Sequence, residues 1–138
     1  MKLFIIANPL LVQTIFKIAN SDVASVSAKT LYKANKLLNK VQACLKDFED
    51  VRGKLIKKYA KKDENGEVII TKNEKDLEIA TFETENIDTF NREFTELMNS
   101  ESEEDFNIKF DVSEFEKLAT FSGPDLNVLM SANLIIDN

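Results

Sequence analysis

Histidine and tryptophan are absent from this chain of 138 residues, and cysteine occurs once, as Cys44. Without histidine there is no Ser-His-Asp or Cys-His machinery and no imidazole metal site. One cysteine forms neither an intramolecular disulfide nor a structural zinc centre. Cys44 falls inside an apolar helical pattern, where a thiol packs as a small hydrophobe, and the chain fits a reducing compartment. Glycine (3) and proline (2) are scarce. Few turn-formers beside many Lys, Glu, Leu and Asn favour long helices over a sandwich of short strands. Long apolar runs are lacking as well. The N-terminal "LFIIANPLLVQTIF" is interrupted by Asn8, Pro9 and Gln13, closed by Lys17, and followed by no small-x-small cleavage pattern. It is too short and broken to span a membrane, so no membrane association is expected and the segment reads as retained and packed.

What is present is a regular supply of Leu, Ile, Val and Phe. Hydrophobic residues make up 43% and charged residues 30% of the chain, as in a soluble globular protein, and the length suits a single domain over residues 1–138. Asn8 before Pro9 predicts a helix from Pro9 to Ala19. The preceding "KLFII" is a short strand or the lead into that helix. From about Ser25 to Lys61, apolar residues recur at alternating spacings of three and four: Leu31, Ala34, Leu38, Val41, Leu45, Phe48, Leu55 and Tyr59, with Arg52 as one polar member. The pattern predicts an amphipathic helix on the order of 50 Å long, weakened at Gly53. Leu31, Leu38, Val41, Leu45, Phe48, Leu55 and Tyr59 are the candidate interaction seam. That seam either builds an oligomeric coiled coil or packs within the chain as a helical hairpin.

Beyond Tyr59 the period changes. "EVIIT" (67–71) and "LEIATFE" (77–83) predict strands with a polar connection. Residues 86–99 return to helical spacing, with Ile87, Phe90, Phe94, Leu97 and Met98 on one face. "FNIKFDV" (106–112) alternates and predicts a half-buried strand. Pro124 opens a last helix capped by Ser122 or Gly123, and Leu126, Leu129, Met130 and Leu134 continue its stripe. No internal repeat is evident. The expected fold is α+β: a long amphipathic helix with shorter helices packed on a small antiparallel sheet.

Charge is segregated. Residues 29–62 hold 11 basic and 3 acidic residues, whereas residues 63–138 hold 5 basic and 20 acidic, within a net charge of −6. The first 62 residues are thus mainly helical and basic, and the remainder mixed and acidic. Three explanations compete. The basic helix lies near acidic residues of its own chain or of a neighbouring copy; or it touches nucleic acid; or the acidic part mimics nucleic acid to block a basic protein. Nucleic-acid binding is not expected, because the lysines carry no binding motif and the whole chain is acidic.

Three stretches invite chemistry. "KKDENGEVII" (61–70) has Asp63, Asn65 and Gly66 where a calcium loop has two ligands and its glycine, but Lys61 and Lys72 stand at its ends. A divalent ion needs six to eight oxygens, so the stretch reads as a turn built on Asn-Gly, between the long helix and the first strand. Glu101, Glu103, Glu104 and Asp105 form a solvated acidic loop. "FSGPD" has one glycine and no adjacent lysine, so it is not a phosphate loop. No catalytic constellation, metal site or cofactor site remains, and the chain is expected not to be an enzyme.

The order of features nevertheless has a likeness. The Lys-rich "LYKANKLLNKVQACLKDFEDVRGKLIKKYAKKDENGEV" is followed by "FNREFTELMNSE", by the alternating "FNIKFDV", and by a short helix after Ser-Gly-Pro. Over roughly residues 25–136 this resembles a family of small bacteriophage and prophage proteins, a domain of unknown function often encoded near tail and lysis genes. Residues 71–85 lengthen one segment relative to that pattern, and the N-terminus is more apolar. The resemblance implies a virion or host-cytoplasm setting and protein partners, either other phage proteins or further copies of the chain in a homo-oligomer. In that setting the acidic residues 63–138 suggest an alternative, a small acidic inhibitor of a host factor. The resemblance brings no catalytic residues with it.

Overall fold

Asn8 caps the helix Pro9–Ala19: its side-chain oxygen accepts from the Leu10 N–H at 3.0 Å, and Pro9 needs no partner in the first turn. In this computed structural model, which describes residues 1–136, the elements are α1 (Leu3–Ile6), α2 (Pro9–Ala19), α3 (Ala28–Tyr59), β1 (Ile70–Lys72), β2 (Glu78–Ala80), α4 (Thr84–Met98), a 3₁₀ helix (Val112–Phe115) and α5 (Gly123–Ser131). The fold is α+β and mainly helical. The chain divides into two compact units, Met1–Lys46 with Ser100–Asn138, and Asp47–Asn99. Residues of α3 up to Lys46 belong to the first unit, and those from Asp47 to the second.

The first unit has a helical core. Ile6, Leu11, Ile15 and Ile18 meet Ala34, Leu37, Leu38 and Val41 of α3, and Phe110, Phe115, Leu129 and Leu134 complete the cluster. Met1–Leu3 runs beside residues 100–102: Leu3 N–H donates to the Ser100 carbonyl at 2.9 Å, and Ser102 N–H to that of Met1 at 2.9 Å. Residues 106–112 do not form the expected strand. The alternation holds as far as Phe110, with Phe106 and Ile108 half-buried and Phe110 buried, while Val112 is exposed; among the described residues the stretch makes one bridge, Phe110 to Ile135. Alternation needs only a pleated chain lying on a core, not a ladder. Lysines of α3 reach this stretch where a neighbouring strand would lie: Lys33 Nζ donates to the Lys109 carbonyl at 3.0 Å, and Lys40 Nζ to that of Asp105. The last helix also differs from its expected stripe. It ends at Ser131, and Asn133 adopts φ 59°. Asn133 N–H donates to Met130 O at 3.0 Å and Leu134 N–H to Leu129 O at 2.9 Å, a Schellman closure with Asn in place of Gly. Leu134 is therefore buried from beyond the helix, while Met130 is 57% exposed.

In the second unit the chain leaves α3 through two turns of one design. Asp63 Oδ1 accepts from the N–H of Asn65 and Glu67, and Asn73 Oδ1 from those of Lys75 and Leu77. Gly66 N–H closes onto Asp63 O, and Asp76 N–H onto Asn73 O. Positive φ falls on Gly66 (79°) and Asp76 (61°), not on Asn65, so each is a three-residue loop rather than a two-residue Asn-Gly turn. The strands are shorter than expected: β1 and β2 pair antiparallel as Ile70–Ala80, Thr71–Ile79 and Lys72–Glu78. At the hairpin's root three segments close in a ring. Ile69 N–H donates to Lys61 O (2.9 Å), Lys61 N–H to Thr81 O (2.8 Å), and Thr81 N–H to Ile69 O (3.1 Å). Phe82, Phe90, Phe94 and Phe48 then follow one another in a row, with neighbouring centroids 4.6, 5.8 and 6.2 Å apart; Phe90 and Phe94 are stacked and the other two pairs tilted.

Candidate interaction surfaces

Two polar clasps hold the first unit, and they share one plan. In α2, Thr14 and Lys17 lie one turn apart. Thr14 Oγ1 donates to Asp125 Oδ1 at 2.6 Å, and Lys17 Nζ to Asp125 Oδ2 at 2.7 Å and to Thr120 O at 3.1 Å. In α3, Thr30 and Lys33 repeat the spacing. Thr30 Oγ1 donates to Glu114 Oε1 at 2.7 Å, and Lys33 Nζ to the same carboxylate at 3.2 Å as well as to Lys109 O. Each carboxylate is also the third helical residue of a capping box, accepting the backbone N–H of Ser122 or Asp111. An eleven-residue offset relates the two receiving segments: Phe110 with Phe121, Asp111 with Ser122, Glu114 with Asp125, Phe115 with Leu126, Leu118 with Leu129. The donors are offset by 16 residues and their acceptors by 11 in the reverse order, so the likeness is of two clasps rather than a repeat of the chain. Matching "TIFK" with "TLYK" and the two capping boxes would have pointed to them in the sequence.

The clasps fix charge states. Burial pushes the Asp125 carboxyl up, but hydrogen bonds from Lys17, Thr14 and Ser122 outweigh it and hold it well below the ordinary carboxylate range. Glu114 follows the same balance: burial raises it, and Thr30, the Asp111 N–H and Lys33 together leave it lowered. With their oxygens engaged, both carboxylates act as struts.

The structure distributes the candidate seam. Ala34, Leu38 and Val41 are buried in the first unit, with Leu31 and Leu45 packed half-buried against its core. In the second unit Phe48 is buried, Leu55 and Tyr59 are half-buried, and Arg52 is exposed beside Glu49 at 3.2 Å. The core-facing stripe of α3 also includes Thr30, Leu37 and Cys44, which a strict heptad reading passes over because a helix in a globular core buries a wider face.

Among the described residues of the second unit, Phe48 and Ala60 are the only buried hydrophobics. Helix α4 is amphipathic yet buries no residue completely. Within this unit the hairpin carries the exposed Ile69, Ile70 (52%), Leu77 (58%) and Ile79 (45%), alongside Val51 and Ile87. Sequence reasoning assigned the hairpin residues to strands and did not single them out, since alternation cannot tell which face stays uncovered.

Elsewhere, a cleft of ≈ 390 Å³ in the first unit is lined by Ser25, Ser27, Ser113, Glu114 and Lys117, among others, with the Glu114 carboxylate already committed to its clasp. The acidic loop is dispersed: Glu101 pairs with the N-terminal ammonium at 3.0 Å, and Asp105 accepts from Asn107 at 2.7 Å. Among the described residues no three carboxylate or thiolate groups converge, and no helix is long and apolar enough to cross a membrane. No protein-family model, curated protein or solved structure matches the chain.

Proposed function

We propose that this is a non-enzymatic bacteriophage protein, virion-associated or acting in assembly, that works by protein–protein contact through its second unit. The carrying observation is the uncovered apolar surface there. A unit of 53 residues with Phe48 and Ala60 as its buried hydrophobics is short of the burial that stabilises small domains. A partner laid on Leu77 and Ile79, which share the face of the hairpin opposite Ile70, supplies it. The hairpin suits that task, because a two-stranded sheet offers backbone edges as well as side chains to an added strand. The phage setting rests on the resemblance of residues 25–136. The non-catalytic role is supported by the engagement of Asp125 and Glu114 in structural hydrogen bonds.

Light scattering on the pure protein and on mixtures with isolated virion proteins tests the contact. A complex with a virion protein that is lost in the double variant Leu77→Lys/Ile79→Lys, with helix content retained, is the expected result. A strict monomer that binds no virion protein overturns the proposal. Mass spectrometry of purified particles then separates a structural part, present at fixed copy number, from an intracellular factor.

A further inference from the structure

Residues 23–46 contain five lysines and no acidic residue. Folding sorts them. Lys33 is taken by Glu114, and Lys40 by the Asp105 carbonyl. Lys29, Lys36 and Lys46 remain exposed on the outer face of α3, and Tyr32 stands between Lys29 and Lys36 at 68% exposure. Lys29, Tyr32, Lys36, Asn39, Ala43 and Lys46 are spaced three, four, three, four and three apart, so they form a straight stripe along the helix, opposite the buried face. A ring this exposed, set between two unpaired ammonium groups, is a surface made for contact.

The chain carries a complementary stripe of its own. On the outer face of α4, Asp88, Arg92 and Glu96 are exposed at successive one-turn spacings. In antiparallel apposition Lys29 meets Glu96, Tyr32 lies on the Arg92 guanidinium, and Lys36 meets Asp88. Both lysines are then opposed by a carboxylate, and the tyrosine receives the Arg92 cation on its face. Nucleic acid fits the stripe less well. Three lysines spread over about 25 Å of helix neutralise few phosphates, and the contact from Lys40 keeps the acidic loop of Glu103, Glu104 and Asp105 alongside.

We propose that the Lys29–Tyr32–Lys36 stripe of α3 docks on the Asp88–Arg92–Glu96 stripe of α4 in a second copy of this chain. Two different patches meet, so the contact is head-to-tail and builds rings or open stacks rather than requiring a two-fold dimer. It stands apart from the hairpin contact and uses none of the hairpin's residues.

Sedimentation velocity at low and high salt tests it, with three samples. The wild-type chain is expected to associate with rising concentration at low salt and to dissociate at high salt. The charge-reversed chains Lys29→Glu/Lys36→Glu and Asp88→Lys/Glu96→Lys are each expected to stay monomeric with unchanged circular dichroism. Mixing the two reversed chains restores opposite charges at both contacts, and association is expected to return. A wild-type chain that is monomeric at every concentration and salt overturns the proposal, as does a mixture that stays monomeric. So does tight binding of a single- or double-stranded oligonucleotide by the wild-type chain that Lys29→Glu/Lys36→Glu abolishes. Leu77→Lys/Ile79→Lys leaves this self-association intact, which distinguishes its failure from failure of the hairpin contact.

Discussion

Asp125 is almost wholly buried yet charged, because Thr14, Lys17 and Ser122 all donate to it. Removing it in Asp125→Ala strands a buried hydroxyl and a lysine. Breaking a fully buried pair costs roughly 3–5 kcal/mol; with Lys17 35% exposed, water takes part of the load, and the expected loss is about 2–3 kcal/mol in chemical denaturation. The pH dependence has a definite sign. The folded carboxyl lies below its unfolded value, so its contribution is complete above the ordinary carboxylate range, near pH ~4, and is lost as pH falls toward the folded value. The wild-type denaturation midpoint should therefore decline steeply below about pH 4, and that of Asp125→Asn less steeply. Parallel slopes would exclude the clasp as a source of acid sensitivity.

Elements follow from local chemistry where it is self-sufficient. Asn8 and Pro9 started α2 as their residue types require, and Ser122 capped α5 in a complete capping box. The turn at Asp63 is equally local, and it has a twin. Gly66 and Asp76 hold the same left-handed position in matching loops, one suited to it and one strained. No atom lies within 4 Å of a Cβ built on Gly66, so Gly66→Ala carries only backbone strain, about 1–2 kcal/mol. Asp76→Gly relieves strain but loosens the unfolded chain, for a gain of about 0.5 kcal/mol. Thermal melts should move in opposite directions for the two variants; a shared direction would mean the loops are not equivalent. The sequence was silent where an element depends on distant partners. Residues 106–112 alternate like a strand, and only distant partners decide that Lys33 meets the Lys109 carbonyl, Lys40 that of Asp105 just before the stretch, and a single bridge joins Phe110 to Ile135. The clasps went unseen for a related reason. Glu114 and Asp125 lie 84 and 111 residues from the threonines that hold them.

Across the whole molecule, burial is unequal, and the seam of α3 hides this because its apolar spacing continues past Lys46. Up to that residue the helix contributes Ala34, Leu37, Leu38, Val41 and Cys44 to a closed core; beyond it, Phe48 alone of its residues is buried. Protection of backbone amides depends on local opening, which costs least where few apolar contacts must be broken. Hydrogen exchange on the intact chain should therefore divide α3 within its own length. Amides of residues 34–44 should exchange with those of α2 and α5, through the larger opening, and those of residues 48–59 with α4 and the hairpin, sooner. No chain break, proline or cap separates the two stretches, so propensity alone gives no reason for a step; Gly53 would loosen only its neighbours. Uniform protection from Ala28 to Tyr59 would show that the second unit is stabilised independently of buried apolar area, and would remove the reason for assigning its surface to a partner. Added partner should act on one side of the step only, slowing residues 48–59, the hairpin and α4 while leaving the first unit's amides unchanged.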